Sequence, residues 1–271
     1  MARTRGGEPL SLGIAIKGPE GIVLAADSRV TLTATPKKKS DSPISVNFDN
    51  ATKLLIFGEP HSYVGAVTYG QASINLRTAH SFLPEFEVSL PKDRISVEAF
   101  AEHLGKFFMD QWGSAKMPDE PAMVFLVAGY DEDAPYGRIF ELKLPDTPSP
   151  KEWGTGAFGM MWGGQKEYVE RIINGYDPNL LAMVQKSLKL TDKQRDDLKK
   201  ALSPLGLSVP YQFLPLQDCV NLAIFLIRTT IGVQELAVTL RGVGGPIDVA
   251  TITRDVGLTA IQRKDIVGEY E

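Results

Sequence analysis

The sequence predicts an α+β fold. Strand-like segments open the chain of 271 residues, recur in its middle and close it, and helical segments lie between them in blocks. Most strands are joined by short turns rich in glycine, proline and aspartate, which favour antiparallel hairpins. Several strands are apolar along almost their whole length, as expected where both faces of a sheet are covered.

In the first half, the strand pattern predicts two hairpins, 12–16 with 22–27 and 53–57 with 62–67. The segment 31–43 is rich in threonine, proline and serine and contains three consecutive lysines, so it is predicted as a loop. Apolar residues at helical spacing predict a helix over 71–83 that ends at Pro84, and another over Ser96 to Trp112 with Ser96 as its N-cap.

The second half continues with a predicted hairpin of strands 122–130 and 138–144. A glycine-rich segment, 154–164, follows without a clear periodicity. Four helices and a closing hairpin are then predicted: helices 166–173, 177–188, 192–202 and 216–231, and strands 248–253 and 258–263.

Composition excludes several classes of protein. With 29 basic and 33 acidic residues the net charge is -4, which disfavours nucleic-acid binding. The single cysteine, Cys219, cannot form an internal disulfide, and His61, His80 and His103 lack metal-ligand spacing. No apolar run reaches the roughly 18 residues of a membrane span, and 1–9 lacks the apolar core of a secretory signal. We therefore expect a cytoplasmic protein without metal, cofactor, membrane or nucleic acid.

One segment resembles a known family. The run Gly21–Arg29 (GIVLAADSR), preceded by Gly13–Lys17, resembles the signature of proteasome β-subunits and their bacterial relatives, which are N-terminal-nucleophile hydrolases. Thr52-Lys53-Leu54, Val64-Gly65-Ala66 and Gly244-Gly245-Pro246-Ile247-Asp248 resemble further segments of that family. The resemblance implies a four-layer αββα sandwich, with one domain over 11–271 preceded by a leader or extension over 1–10.

The resemblance also implies a catalytic group. Counting back from Asp27 by the family's separation between aspartate and nucleophile gives Ser11 as the nucleophile. Lys53 would lower the effective pKa of its hydroxyl, Asp27 would keep Lys53 charged, and the Gly65 N–H would bind the oxyanion. Self-cleavage would free the α-amine of Ser11 to act as the base.

The chain departs from the family pattern at four further positions. Leu10 precedes Ser11 where processed members have glycine. Leu240 and Val243 replace a supporting aspartate and serine ahead of the paired glycines, and Ala157 replaces a supporting serine. Such supporting side chains orient the reacting groups, so their loss affects activity even where the reacting groups remain.

Each candidate also has an ordinary interpretation. Asp27 could accept backbone N–H groups at a strand end, Lys53 could be a surface lysine, Ser11 a serine at the start of a strand, and Gly65 a glycine required by packing.

Three functions therefore remain open. The first is a peptide-bond hydrolase acting on peptides or unfolded proteins, with an ATP-dependent unfoldase as a partner. The second is an inactive structural subunit that assembles into rings, and the third an unrelated ligand-binding module. The hydrolase and the structural subunit are both expected to form a homo-oligomer. Apolar residues of the helix 96–112 and of the segment 158–162 would supply its contact surface.

Overall fold

Two five-stranded antiparallel sheets form the centre of the protein. The computed structural model describes residues 11–34, 44–238 and 241–268. The first sheet contains β1 (Leu12–Lys17), β2 (Ile22–Ala26), β12 (Gly159–Gly164), β13 (Asp248–Thr253) and β14 (Gly257–Gln262), in the order β12-β1-β2-β13-β14. The second contains β5 (Leu54–Ile56), β6 (Val64–Gly70), β9 (Met123–Gly129), β10 (Arg138–Leu144) and β11 (Thr147–Glu152), in the order β11-β10-β9-β6-β5.

Helices cover the outer faces of both sheets. The helices are α1 (Leu83–Ser89), α2 (Val97–Ser114), α3 (Glu167–Asn174), α4 (Leu180–Leu188), α5 (Asp192–Leu202) and α6 (Leu216–Leu236). Residues of α1 and α2 share a buried core with the second sheet, and residues of α3 and α6 share one with the first. A third core lies between the two sheets. The predicted α+β class and four-layer αββα sandwich are therefore confirmed.

The helix α2 begins where the sequence predicts. Ser96 adopts an extended backbone, and its side chain accepts a hydrogen bond from the Ala99 N–H at 3.1 Å. The apolar face of α2 is buried against the second sheet through residues such as Phe100, Leu104 and Phe108. Because these side chains lie in the core, they supply no contact surface for assembly, and that part of the expectation was wrong.

The helix α6 is, among the described residues, the one segment long and apolar enough to cross a membrane by length and composition. Core helices meet the same criterion. Seven of its residues are buried, including Ala223, Leu226 and Ile227, which pack on the first sheet. The helix thus forms an outer layer of the sandwich.

The segment 71–83 does not form the predicted helix. It contains a short hairpin, β7 (Ser73–Ile74) with β8 (Arg77–Thr78), and then a 3₁₀ turn, Ala79–Phe82. The helix α1 follows, with Pro84 in its first turn rather than beyond its end. Proline is accepted there because the first turn has no helical partner for its N–H. Leu76, one of the apolar residues at helical spacing in this segment, is 98% exposed.

Besides β7 and β8, four strands of the structure were not predicted from the sequence. Two of them, β3 (Val30–Ala34) and β4 (Ile44–Phe48), pair with each other, so the predicted loop 31–43 begins inside a strand. The strand β11 contains Pro148 and Pro150, which an edge strand tolerates. In β12, glycine is required at Gly163, where a Cβ would lie 2.1 Å from the Tyr69 hydroxyl oxygen. The leader 1–10, the lysines 37–39 and Leu240 lie outside the described residues.

Candidate active site

The first hairpin brings Ser11 and Asp27 to the same end of the first sheet. The antiparallel register places Gly13 opposite Ala26, so the residue after β2 lies beside the residues that lead into β1. The Leu12 N–H donates to Asp27 Oδ1 at 3.0 Å, and the Asp27 N–H donates to the Leu12 carbonyl at 3.3 Å. The start of β1 is therefore held by the Asp27 side chain.

Asp27 is fully buried, and its carboxylate accepts hydrogen bonds from Lys53, Leu12, Gly244 and Arg29. Its Oδ1 accepts from Lys53 Nζ at 2.7 Å as well as from Leu12, and its Oδ2 accepts from the backbone N–H groups of Gly244 at 3.0 Å and Arg29 at 3.2 Å. A buried carboxylate needs this degree of pairing to remain charged. Asp27 thus has both the predicted lysine contact and the backbone contacts of the ordinary interpretation.

Lys53 lies just before β5 and is only 5% exposed. Burial lowers the pKa of its ammonium group, because the charged form has lost water. The charge of Asp27 and the hydrogen bond to it oppose this change, while the positive charges of Lys264 and Arg29 add to it. The pKa of Lys53 therefore lies below that of an ordinary lysine, although the ion pair is intact.

Ser11 and Lys53 line one small cavity. Its volume is about 20 Å³, which accommodates one water molecule. Thr68 lines the same cavity, and its buried hydroxyl has no hydrogen-bond partner among the described residues. Ser11 is itself buried, and its carbonyl accepts a hydrogen bond from the Gln165 N–H at 2.7 Å.

Gly164 fixes the position of Ser11 from the neighbouring strand. Its φ is +94°, and a Cβ there would lie 1.9 Å from the Ser11 carbonyl oxygen. Any other residue would therefore be strained and would displace Ser11.

The structure places Gly65 apart from the other three candidates. It lies near the start of β6, between Ile56 and Ala128 of the neighbouring strands. A Cβ at this position would lie 2.3 Å from Leu258 and 3.1 Å from Leu24, in the layer between the sheets. The opposite end of β6, at Thr68 to Gly70, lines the Ser11 cavity instead.

Part of the surroundings of Asp27 was not predicted from the sequence. The Gly244 N–H is a direct donor to Asp27. A second buried pair lies close by: Lys264 Nζ donates to Asp248 and, at 2.9 Å, to the Ser28 hydroxyl. The only sequence signal for these contacts was the resemblance over Gly244–Asp248.

The positions that depart from the family pattern have other roles. Val243 is buried and donates its N–H to the side chain of Gln234 at 3.0 Å, while Ala157 is exposed. Within the described residues, no group of three or more histidine, cysteine, aspartate or glutamate side chains could hold a metal ion.

Comparison with solved structures identifies proteins of the same fold. A Gly-1 mutant of Anbu from Hyphomicrobium sp. strain MC1 matches with a TM-score of 0.58 and 14% identity, over 94% of this chain and 88% of the Anbu chain. Anbu, an ancestral beta-subunit, from Yersinia bercovieri matches with a TM-score of 0.55 and 15% identity, over 92% and 86%. At such identities the likeness shows the fold alone, a proteasome-related one.

The comparisons also correct the family expectation. No family model matches the chain, and no curated protein matches it. The identification of the chain as a relative of proteasome β-subunits was therefore wrong: the structural neighbours are Anbu proteins, at low identity.

Proposed function

We propose that this protein is an amide hydrolase of the N-terminal-nucleophile type, with Ser11 as the nucleophile. The observation that carries the proposal is that Ser11 shares a cavity with Lys53, whose ammonium group donates to the buried carboxylate of Asp27 at 2.7 Å. A lysine held beside a serine hydroxyl stabilises the alkoxide that develops during attack.

In the proposed reaction, Ser11 Oγ attacks the carbonyl carbon of a peptide bond. The Oγ proton passes to the α-amine of Ser11 and from there to the leaving nitrogen, so that the C–N bond breaks and an ester on Oγ remains. Water then hydrolyses the ester, releases the acid and restores the hydroxyl. The ammonium group of Lys53 stabilises the developing alkoxide. A backbone N–H of a residue that lines the cavity binds the oxyanion, and Gly65 is not one of these residues.

This chemistry requires that the nitrogen of Ser11 be a free amine. We propose that residues 1–10 are a leader removed by the same serine. Ser11 Oγ attacks the carbonyl carbon of Leu10. The peptide bond between Leu10 and Ser11 breaks and an ester between the same two residues forms, which water then hydrolyses. The products are the free leader and an α-amine, whose pKa of about 8 suits a base near neutral pH.

A second function, an inactive structural subunit, is favoured by two observations. The cavity at Ser11 has room for one water molecule and not for a substrate residue. Leu10 in place of glycine also distinguishes the chain from processed enzymes. In either case we propose assembly into a homo-oligomeric ring in the cytoplasm. That compartment keeps thiols reduced, which fits the free, buried Cys219. An enzyme of this kind would act on peptides or unfolded proteins and would receive folded substrates from an ATP-dependent unfoldase.

Peptidase assays on three proteins separate these functions. The wild type, Ser11→Ala and the surface control Ser208→Ala are compared on internally quenched peptides, and intact mass reports whether residues 1–10 are present. Ser208 is exposed and lies outside the cavity, so its variant should match the wild type. Turnover that disappears only in Ser11→Ala supports the hydrolase. Equal turnover in all three proteins, or none in a fully folded wild type, contradicts it.

A further inference from the structure

A second pocket lies beside the proposed nucleophile. It shares Tyr69 and Gly70 with the Ser11 cavity, and Gly164, which lies against the Ser11 carbonyl, forms part of its wall. The pocket and the Ser11 cavity are therefore neighbours, separated by Tyr69 and Gly70. Its volume of about 390 Å³ is within the range of small-ligand pockets, in contrast to the Ser11 cavity.

Two lysines and two glutamates line this pocket. Lys143 and Lys166 line it, but each already has an acidic partner outside it, Asp146 at 2.6 Å and Glu170 at 3.0 Å. Two carboxylates on its wall, Glu120 and Glu141, remain. Among the described residues, neither has a basic side chain within 4.0 Å.

Glu141 is the better placed of the two carboxylates. It is half-buried, and it accepts a hydrogen bond from the Tyr69 hydroxyl at 3.2 Å. Burial and the negative charge of Glu141 raise the pKa of Tyr69, so its hydroxyl stays protonated and keeps donating. Lys151, opposite Glu141 on β11, is exposed and makes no ion pair with it within the described residues. The carboxylate is thus oriented by Tyr69 and has no ion-pair partner within 4.0 Å among the described residues, while its charge, after that of Asp146, helps to raise the pKa of Lys143.

We propose that this pocket binds a lysine or arginine side chain of the substrate, next to the bond that is cleaved, and that Glu141 determines this specificity. The inference rests on the proposed hydrolase function. A half-buried carboxylate attracts a cation more strongly than a fully solvated one does, because the surroundings screen the charges less. Ala122 and Val124, on the same wall, offer contact to the methylene groups of a long basic side chain.

The test measures binding separately from turnover. Ser11→Ala protein produced without residues 1–10, which this variant could not remove itself, is titrated with two fluorescein-labelled peptides that differ in one residue, lysine or norleucine, and fluorescence anisotropy gives Kd. We expect the lysine peptide to bind about tenfold more tightly, as one charge-assisted contact provides. Adding Glu141→Gln should remove this preference. Glutamine at position 141 keeps an acceptor for the Tyr69 hydroxyl, so the fold should be retained. Glu120→Gln, which changes an exposed residue of the same pocket, provides a second variant.

The control is Glu102→Gln, an exposed residue of α2 that does not line the pocket, and it should keep the preference. A lysine preference that survives Glu141→Gln, or equal binding of the two peptides before this change, overturns the inference. Turnover assays on the wild-type protein separate the proposed hydrolase function from the proposed pocket specificity. Turnover without a lysine preference contradicts the pocket alone, and binding that depends on Glu141 without turnover contradicts the hydrolase alone.

Discussion

Lys53 Nζ lies 2.7 Å from Asp27 Oδ1, and the two side chains are 6% and 0% exposed. Such a pair, out of contact with water, is a poor source of net stability, because desolvation of both charges offsets their attraction. Breaking it is nevertheless costly, since the remaining charge stays buried. The pair therefore constrains the start of β1, where Ser11 lies, more than it stabilises the fold.

Asp27→Asn should destabilise the protein by about 3–5 kcal/mol, because it leaves the Lys53 charge buried without its partner. Urea unfolding measures the change. The matched control is Asp146→Asn, which removes the partner of Lys143 in an exposed ion pair and should cost less than about 1 kcal/mol. Equal losses in the two variants would show that the burial of the Asp27 pair is not decisive.

Activity should depend on pH as a bell-shaped curve. It should rise as the α-amine of Ser11 loses its proton, at about pH 8. It should fall as Lys53 loses its proton, and because burial lowers the pKa of Lys53, this fall should begin below the usual lysine value of about 10.4. The measurement is kcat/KM of a neutral peptide between pH 6 and 11, a range chosen around these values. A curve that rises steadily to the alkaline end would contradict a cationic role for Lys53.

Ser11→Ala should abolish turnover and cost about 1 kcal/mol of stability or less, which corresponds to a decrease in Tm of about 2–4 °C. The hydroxyl is buried but small, so its removal leaves little empty space. Thermal unfolding followed by circular dichroism provides the measurement. A much larger decrease in Tm would mean that lost activity reports unfolding rather than lost chemistry.

Gly164→Ala should displace Ser11 and reduce activity, with a loss of stability of about 1–3 kcal/mol, because its positive φ and the Ser11 carbonyl leave no room for a Cβ. Gly232→Ala, in α6, is the control. A Cβ there meets nothing within 4 Å, so the variant should be more stable by up to about 1 kcal/mol. If Gly164→Ala is as active and stable as the wild type, this close approach does not position the nucleophile.

Strand and helix periodicity predicted most of the fold, because the apolar residues of β1, β2, β9 and α2 face the buried layers. Periodicity failed in 71–83, where apolar residues at helical spacing occupy a hairpin and a 3₁₀ turn. It also failed for β12, where Gly163 faces the ring of Tyr69 on the opposite sheet and Gly164 faces the Ser11 carbonyl. A contact between sheets has no signature in the local sequence.

Only part of the candidate site could be predicted from the sequence. The resemblance selected Ser11, Asp27 and Lys53, and the structure brings these three together. It also selected Gly65, which lies at the other end of β6 from the cavity. A short glycine-containing run does not fix which position of a strand meets the site, because that depends on the register between the strands.

The homo-oligomer should be visible in light scattering coupled to size-exclusion chromatography. A ring gives a mass several times that of the 29.6 kDa chain. A single species at 29.6 kDa, at micromolar concentration, would contradict assembly. Ser11→Ala should assemble like the wild type if it keeps its fold, because the hydroxyl lies inside the protein.

The most direct test of the central claim is covalent labelling of the nucleophile. Purified protein is incubated with a peptidyl sulfonyl fluoride, which forms a sulfonyl ester with an activated serine hydroxyl and releases fluoride, and mass spectrometry locates the adduct. We predict one adduct per chain, on the side chain of Ser11, in a chain that begins at Ser11, and no adduct in Ser11→Ala. An adduct at another residue, equal labelling of Ser11→Ala, or an unlabelled wild type would contradict Ser11 as the nucleophile.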